Sequence, residues 1–287
     1  MNLKQTVFRR TNDLLGMFRF HLSVIEEDFD ARLDQPEQVR HIFTAFAEIA
    51  RAWLDRQEIF PVKDRFDIAD ALSGFYEEYL RMPFRAREGG SRFNNLAWLY
   101  VIARAMQPSL VIDSGTYRGA SAWAFSMVRV PVYSFDLDLS RLAHRSASAV
   151  YVECDWNAFS WQHRDLANAL IYFDDHLSQL RRLREASERS IPVAIFDDDF
   201  PLTSFAPMAN GGQALPKIEF VLDDDLRQYR EISWTERNRR YVFPLNHQEM
   251  EQARSLIAAT GRLPETSHIT GIQQMPYRLI RVNPAVR

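Results

Sequence analysis

Cysteine is almost missing from this chain: Cys154 is the one residue of its type among 287. A lone thiol rules out an internal disulfide framework and any zinc site built on cysteine pairs. It suits a reducing compartment, so a cytoplasmic location is expected. A positive excess is missing as well. Lys and Arg number 35 against 38 Asp and Glu, a formal net charge of −3, and without a basic field nucleic acid is not an expected partner. No apolar run approaches the ~20 residues needed to span a bilayer, so no integral membrane segment is expected. Low-complexity linkers and tandem repeats are also lacking. What remains is an ordinary globular balance, 46% hydrophobic and 25% charged, enough for one large domain or one domain with an appendage.

The stretch Met1 to Ile25 interleaves Lys4, Arg9, Arg10 and Arg19 with Phe8, Leu14, Leu15, Phe18 and Leu22. That spacing predicts an amphipathic helix packed on the domain or on a second subunit, which suits a homodimer; it is not the layout of a secretory signal. Helical periodicity continues through Val39, Ile42, Phe43, Phe46, Ile49 and Leu54, then through Ile68, Leu72, Phe75 and Leu80, with Pro61 and Pro83 as punctuation. A helical N-terminal extension over residues 1–90 therefore precedes a second unit over 91–287. Glu88 to Ser91 reads as a loop between them, and Asn95 to Met106 as a helix.

From Leu110 the rhythm changes. Short β-rich runs at Leu110–Ile112, Val132–Phe135, Val150–Val152, Leu170–Phe173 and Val193–Phe196 alternate with helical stretches at Ala120–Arg129, Leu139–Ser148 and Leu177–Ser187. This alternation predicts an α/β, doubly wound parallel sheet covered on both faces. Crossover handedness puts the C-terminal ends of its strands on one rim, where such sheets bind ligands. An insert over about 200–245 follows, with Gly211-Gly212 and strand-like pieces at Lys217–Leu222 and Tyr241–Pro244. A helix at about 247–260 and two further strand-like pieces, His268–Ile272 and Tyr277–Val282, are expected to end the chain as an antiparallel pair.

Chemistry concentrates at the ends of the predicted strands. Gly115 and Gly119 bracket a turn after the first strand, where free N–H groups at a helix start can meet a ligand. Tyr117 argues against a dinucleotide fingerprint, and Asp113 stands at the strand tip without an apolar reason for being there. Asp136 ends the second strand about 20 residues on, where doubly wound nucleotide binders place an acid for a ribose hydroxyl pair; Asp138 fits a helix cap better. Asp155 and Trp156 follow the third strand and could border a base. Asp174-Asp175-His176 and Asp197-Asp198-Asp199 close the fourth and fifth. Buried carboxylates in such numbers call for a cation, and oxygen donors suit Mg²⁺, Mn²⁺ or Ca²⁺ better than zinc. His176 could serve as a base near neutral pH. Asp223-Asp224-Asp225 reads as a solvated loop or a substrate-side wall, and Arg118, Arg237, Arg239 and Arg240 are candidates for an anionic substrate.

The run Val111-Ile-Asp-Ser-Gly-Thr-Tyr-Arg-Gly-Ala-Ser121 resembles the first motif of class I S-adenosylmethionine-dependent methyltransferases. Together with Tyr172–His176 and Ile195–Asp198, it is most similar to the metal-dependent O-methyltransferases, of the catechol and macrocin (sugar-methylating) types. The resemblance covers about residues 90–200 and, more loosely, the last strands. It implies a mostly parallel, seven-stranded Rossmann-like sheet. It implies S-adenosylmethionine as cofactor, with Asp113, Gly115, Tyr117, Gly119 and Ser121 around the methionine part, Asp136 on the ribose, and Asp155 with Trp156 at the adenine. It further implies Mg²⁺ (or Mn²⁺) on Asp174, Asp197 and Asp198, with Asp175 or Asp199 reachable by a one-residue slip. The lysine base of the catechol type has no counterpart in His176-Leu-Ser-Gln179, which leaves His176 or Asp175 for the catalytic proton. The implied activity is Mg²⁺-dependent O-methylation of a hydroxyl on a small molecule or sugar. Alternatives on the same scaffold are a cephalosporin hydroxylase-like or other metal-dependent enzyme, or a non-catalytic S-adenosylmethionine binder.

Overall fold

In the inner strands of the central sheet most side chains are apolar, and alternate ones go to opposite faces. The computed structural model describes residues 36–86, 90–200, 215–236 and 239–284. The expected helix over Met1 to Ile25, Gly211-Gly212, and the side chains of Arg237 and Arg239 lie outside what is described. β1 (Val111–Ser114), β2 (Val132–Asp136), β3 (Ala149–Glu153), β4 (Leu170–Phe173) and β5 (Val193–Phe196) pair in parallel. β8 (Ile257–Arg262) and β9 (Arg278–Val282) complete the sheet in the order β3-β2-β1-β4-β5-β9-β8, with β9 antiparallel to both neighbours. This is the seven-stranded, mostly parallel α/β sheet that the resemblance implied. β6 (Glu231–Glu236) and β7 (Arg239–Pro244) form a separate antiparallel hairpin.

Val111, Leu170, Tyr172, Val193 and Ile195 point to one core, and Ile112, Ile171, Phe173, Ala194 and Phe196 to the other. The first core is closed by α1 (Pro36–Leu54), α2 (Ile68–Tyr79), α3 (Phe93–Met106) and α4 (Ala120–Ser126). α3 buries every residue but Arg104, as a helix enclosed on all sides must. It carries Trp98 against Phe46 of α1, with ring centroids 5.2 Å apart, while Phe75 of α2 meets Trp123 of α4 at 4.7 Å. Each such ring contributes about 1.5–3 kcal/mol by burial, so the helices ahead of β1 share one core with the sheet. The second core is covered by α5 (Gln179–Glu188), α6 (Ile218–Leu222) and α7 (His247–Ser255) through Leu180, Leu183, Phe220 and Met250. Among the described residues, no helix is long and apolar enough to cross a membrane.

Five local expectations change. The helix expected at Ala120–Arg129 stops at Ser126, and Arg129 turns the chain with φ 62. The helix expected at Leu139–Ser148 is one 3-10 turn, Leu139–Arg141, capped by Asp138. The chain then runs irregularly, because the N–H groups of Ala143 and His144 both donate to Arg118 O. Lys217–Leu222, expected as a strand, is α6; short apolar runs do not separate the two forms by pattern. The helix expected at 247–260 ends at Ser255, since ladder pairing with β9 claims Ile257–Arg262. That strand, and not His268–Ile272, is the partner of β9. Ser267–Thr270 forms a single helical turn, α8, ended by left-handed Gly271.

Candidate functional site

Register levels the strand ends: Asp113 lies beside Ser134 of β2 and Tyr172 of β4, and Phe173 beside Phe196. The residues that follow β1, β2, β4 and β5 therefore emerge on one rim. Gly115 takes φ 108, and a Cβ there would lie 2.5 Å from Asp174 O. Gly119 takes φ 86, and its Cβ would lie 2.4 Å from His144 O. Both glycines thus admit neighbouring backbone of the protein itself. At Gly119 the close approach expected at the helix start is made by the His144 carbonyl.

Within this loop Tyr117 has φ 43, and its N–H donates to Asp136 Oδ2 at 2.8 Å. Asp136 Oδ1 accepts from Asp138 N–H at 3.1 Å, which leaves a half-buried carboxylate at the tip of β2 with lone pairs to spare. Leu137 beside it is 75% exposed. Asp138 caps the following turn by accepting from Ser140 N–H, as the alternative reading had it. Asp113 is fully buried. Its Oδ2 accepts from Ser134 Oγ at 2.5 Å, while Oδ1 has no partner in hydrogen-bond geometry. Burial pushes its carboxyl up to about 7 against the pull of the Ser134 hydroxyl and of Ser121 in the first turn of α4.

Asp155 and Trp156 follow the C-terminal end of β3, and both are taken up by the protein's own groups. Asp155 caps Asn157 N–H and is forked by Arg182, at 3.1 and 2.9 Å. Burial raises its pKa, but the Arg182 hydrogen bonds win and the net shift is downward. The Trp156 ring is fully buried against Phe173, so it presents no open face to a base.

The acid clusters do converge. Asp174 and Asp197 share a side-chain hydrogen bond. Burial and then the Asp197 charge hold Asp174 well above the usual carboxylate range, and burial with the Asp198 charge pushes Asp197 up to about 8. Asp197 Oδ2 accepts from Tyr172 Oη at 2.9 Å and Oδ1 from Asp198 N–H at 2.6 Å. His176 Nε2 lies 3.5 Å from Asp174 Oδ1 and 3.7 Å from Asp198 Oδ2, with its side chain 47% exposed. These groups surround a cavity of about 10 Å³, room for one water-sized species. Asp175 borders the cavity, yet its Oδ2 accepts from Ser114 Oγ and Arg182 Nε and its Oδ1 from Leu177 N–H. Tyr117, His176 and Asp198 all have left-handed φ, at 43, 56 and 55. For non-glycine residues this costs about 1–3 kcal/mol each and gathers where function demands it.

Each oxygen of Asp197 accepts one hydrogen bond and keeps a lone pair, and the buried ammonium of Lys217 donates to the main-chain carbonyl of Asp198. Among the described residues, no group of three or more His, Cys, Asp and Glu is disposed to hold a metal ion. Lys217 escaped the sequence reading because it was assigned to a strand in the insert. Also missed were Arg182, and a hydroxyl chain in which Tyr277 and Ser91 contact Tyr172 at 2.9 and 3.3 Å. The run of leucines around α5 could have flagged Arg182, set among them on a helix; nothing marked the tyrosines.

No family model matches this chain, and no curated protein matches it. Solved structures of similar form include the O-methyltransferase TomG of Streptomyces achromogenes, in complex with SAM, at 12% identity over 87% of this chain and 99% of that one, with a TM-score of 0.42. An O-methyltransferase of Bacillus cereus in complex with SAH is similar at 10% identity over 84% of this chain and 100% of that one, with a TM-score of 0.41. The SAH-bound methyltransferase PaMTH1 of Podospora anserina is similar at 15% identity over 91% and 99%, with a TM-score of 0.39. Likenesses this distant carry no argument about activity, which has to come from the site.

Proposed function

We propose that this chain is an S-adenosylmethionine-dependent O-methyltransferase acting on a hydroxyl of a small molecule or sugar. The observation that carries the reading is the link from Tyr117 N–H to Asp136 Oδ2, which sets an accepting carboxylate at the β2 tip beside an acid rim on β4 and β5. Asp136 would accept from the ribose hydroxyl pair, and exposed Leu137 offers the base an apolar surface in place of buried Trp156. The loop from Gly115 to Gly119, with Ser121 and the buried, unpartnered Oδ1 of Asp113 beneath it, would hold the methionine part. The bound cofactor supplies a methyl group made electrophilic by its sulfonium.

His176 stands at the mouth of the acid rim and would take the acceptor's proton on Nε2. Asp174 and Asp198, within 3.7 Å, would then stabilise the imidazolium. Asp175, tied to Arg182 and Ser114, is a support and not the base. Positioning and exclusion of water would do much of the work, since the reaction disperses charge.

Calorimetry of S-adenosylhomocysteine tests the reading. Wild type should bind it, and Asp136→Ala, losing a charged hydrogen-bond acceptor, should weaken binding about 10–100-fold. Equal affinity in the two proteins, or none in wild type, would overturn it.

A further inference from the structure

We propose that β3 is a docking edge for a second copy of this chain, the two β3 strands pairing antiparallel about a two-fold axis at Tyr151. The edges of the central sheet are β8 and β3, and the fold treats them differently. β8 is interrupted by a bulge between Ile257 and Ala259. Its far end is covered, since Trp53 Nε1 of α1 donates to Arg262 O at 3.1 Å and Ile59 closes on Gly261. β3 has none of these devices. Its five residues pair with β2 in unbroken register. It contains neither proline nor lysine, and Val150 is 50% exposed. Among the described residues, no group outside the sheet hydrogen-bonds the backbone of residues 150–153. An edge left straight, apolar and open is a template for another strand, and Val150, Tyr151 and Val152 favour that form.

Faces and charges both match under this pairing. A two-fold axis normal to the sheet keeps each face on its own side, so Tyr151 meets its own copy and Val150 meets the partner's Val152. Val152 already packs on the second core, which these two apolar pairs would extend. On the opposite face Ala149 comes opposite the partner's Glu153. Arg145 lies over the Tyr151 ring at 5.1 Å, on the side of the sheet to which Glu153 also points. Tyr151 and the partner's Glu153 are diagonal neighbours, within reach of a long side chain. Arg145 and Glu153 are both exposed, and neither forms an ion pair among the described residues. The basic end of each strand would thus answer the acidic end of its copy, whereas a parallel pairing would set like charges side by side. An edge of five residues buries little area, so the dimer is weak and reversible.

The test is sedimentation equilibrium of the full chain, with Val150→Lys, Arg145→Glu, Glu153→Arg and the double charge reversal alongside. It needs no cofactor and is independent of the methyl-transfer reading. Wild type should dimerise reversibly with a Kd on the order of 10–100 μM, the weak end for a specific contact. Val150→Lys sets an ammonium against the apolar pairs, and should abolish the dimer while leaving the melting temperature of dilute protein unchanged. Each single charge reversal should weaken association about tenfold, because the two-fold axis repeats every clash. The double reversal should return the affinity to within about threefold of wild type. Wild type that stays monomeric at about 1 mM would overturn the proposal, as would a dimer that Val150→Lys leaves intact. So would a double reversal no tighter than the single ones; if Val150→Lys does not fold, that charge cycle decides alone.

Discussion

The two halves of the rim keep their carboxylates by opposite means. At the β1–β2 tips, Asp113 and Asp136 are held by neutral donors, a serine hydroxyl and backbone N–H groups. At the β4–β5 tips, Asp175 and Asp199 are held by buried cations, Arg182 and Arg278, while Asp197 between them accepts from Tyr172 Oη and the Asp198 N–H. Neutral donors leave an acceptor open to an incoming hydroxyl or ammonium. Cations close the acids against further partners and fix their geometry. A binding half and a half built for placement thus meet where Gly115 packs on the Asp174 carbonyl and Ser114 donates to Asp175.

Removing a cation should break the charged half hardest. Arg182 has a side chain 2% exposed and faces three acids. Arg182→Met removes the buried charge that these acids share, leaving Arg181 at the surface and neutral donors to hold them, and urea unfolding should show a loss of about 3–5 kcal/mol. The hinge between the halves comes next. Gly115→Ala places a Cβ against Asp174 O at a φ of 108, costing roughly 2–3 kcal/mol. Its melting temperature and its affinity for S-adenosylhomocysteine should fall together; a fall in stability alone would mean that the turn only packs.

A pH titration sharpens the same contrast with a smaller effect. The Asp113 and Asp197 carboxyls lie at about 7 and about 8 in the fold, above an ordinary value of 3.8. The native state therefore keeps protons that the unfolded chain has already lost. The stabilisation is fully present below pH ~4 and disappears as pH rises through the native values. Thermal unfolding between pH 6 and 8.5 should show stability falling with pH, on the order of 1 kcal/mol per group. Asp113→Asn should flatten that slope, and an unchanged slope would show that Asp113 ionises normally.

The sheet was legible because strands buried on both faces read as short continuous apolar runs, such as Leu170–Phe173 and Val193–Phe196, set between helical stretches. The acids at their ends were legible because Asp has no apolar reason to follow such runs. What the acids meet was not. Asp175 and Asp155 answer to Arg182, whose place among the leucines of α5 marks an inward face but not the acids it meets. Lys217 arrives from a segment some 20 residues beyond the cluster it faces. Trp156 could be read as a base-stacking ring only while its burial was unknown. Strand β8 was hidden because Ile257–Gly261 continues a helical pattern locally, and pairing with β9 overrides it.

The most direct test of this division is amide hydrogen exchange with and without S-adenosylhomocysteine. The account predicts that protection rises over residues 114–119 and 136–138, with the Tyr117 amide included, and that β8 and the β6–β7 hairpin do not change. Protection gained at the hairpin or at β8, with the β1–β2 tips unaltered, would contradict it.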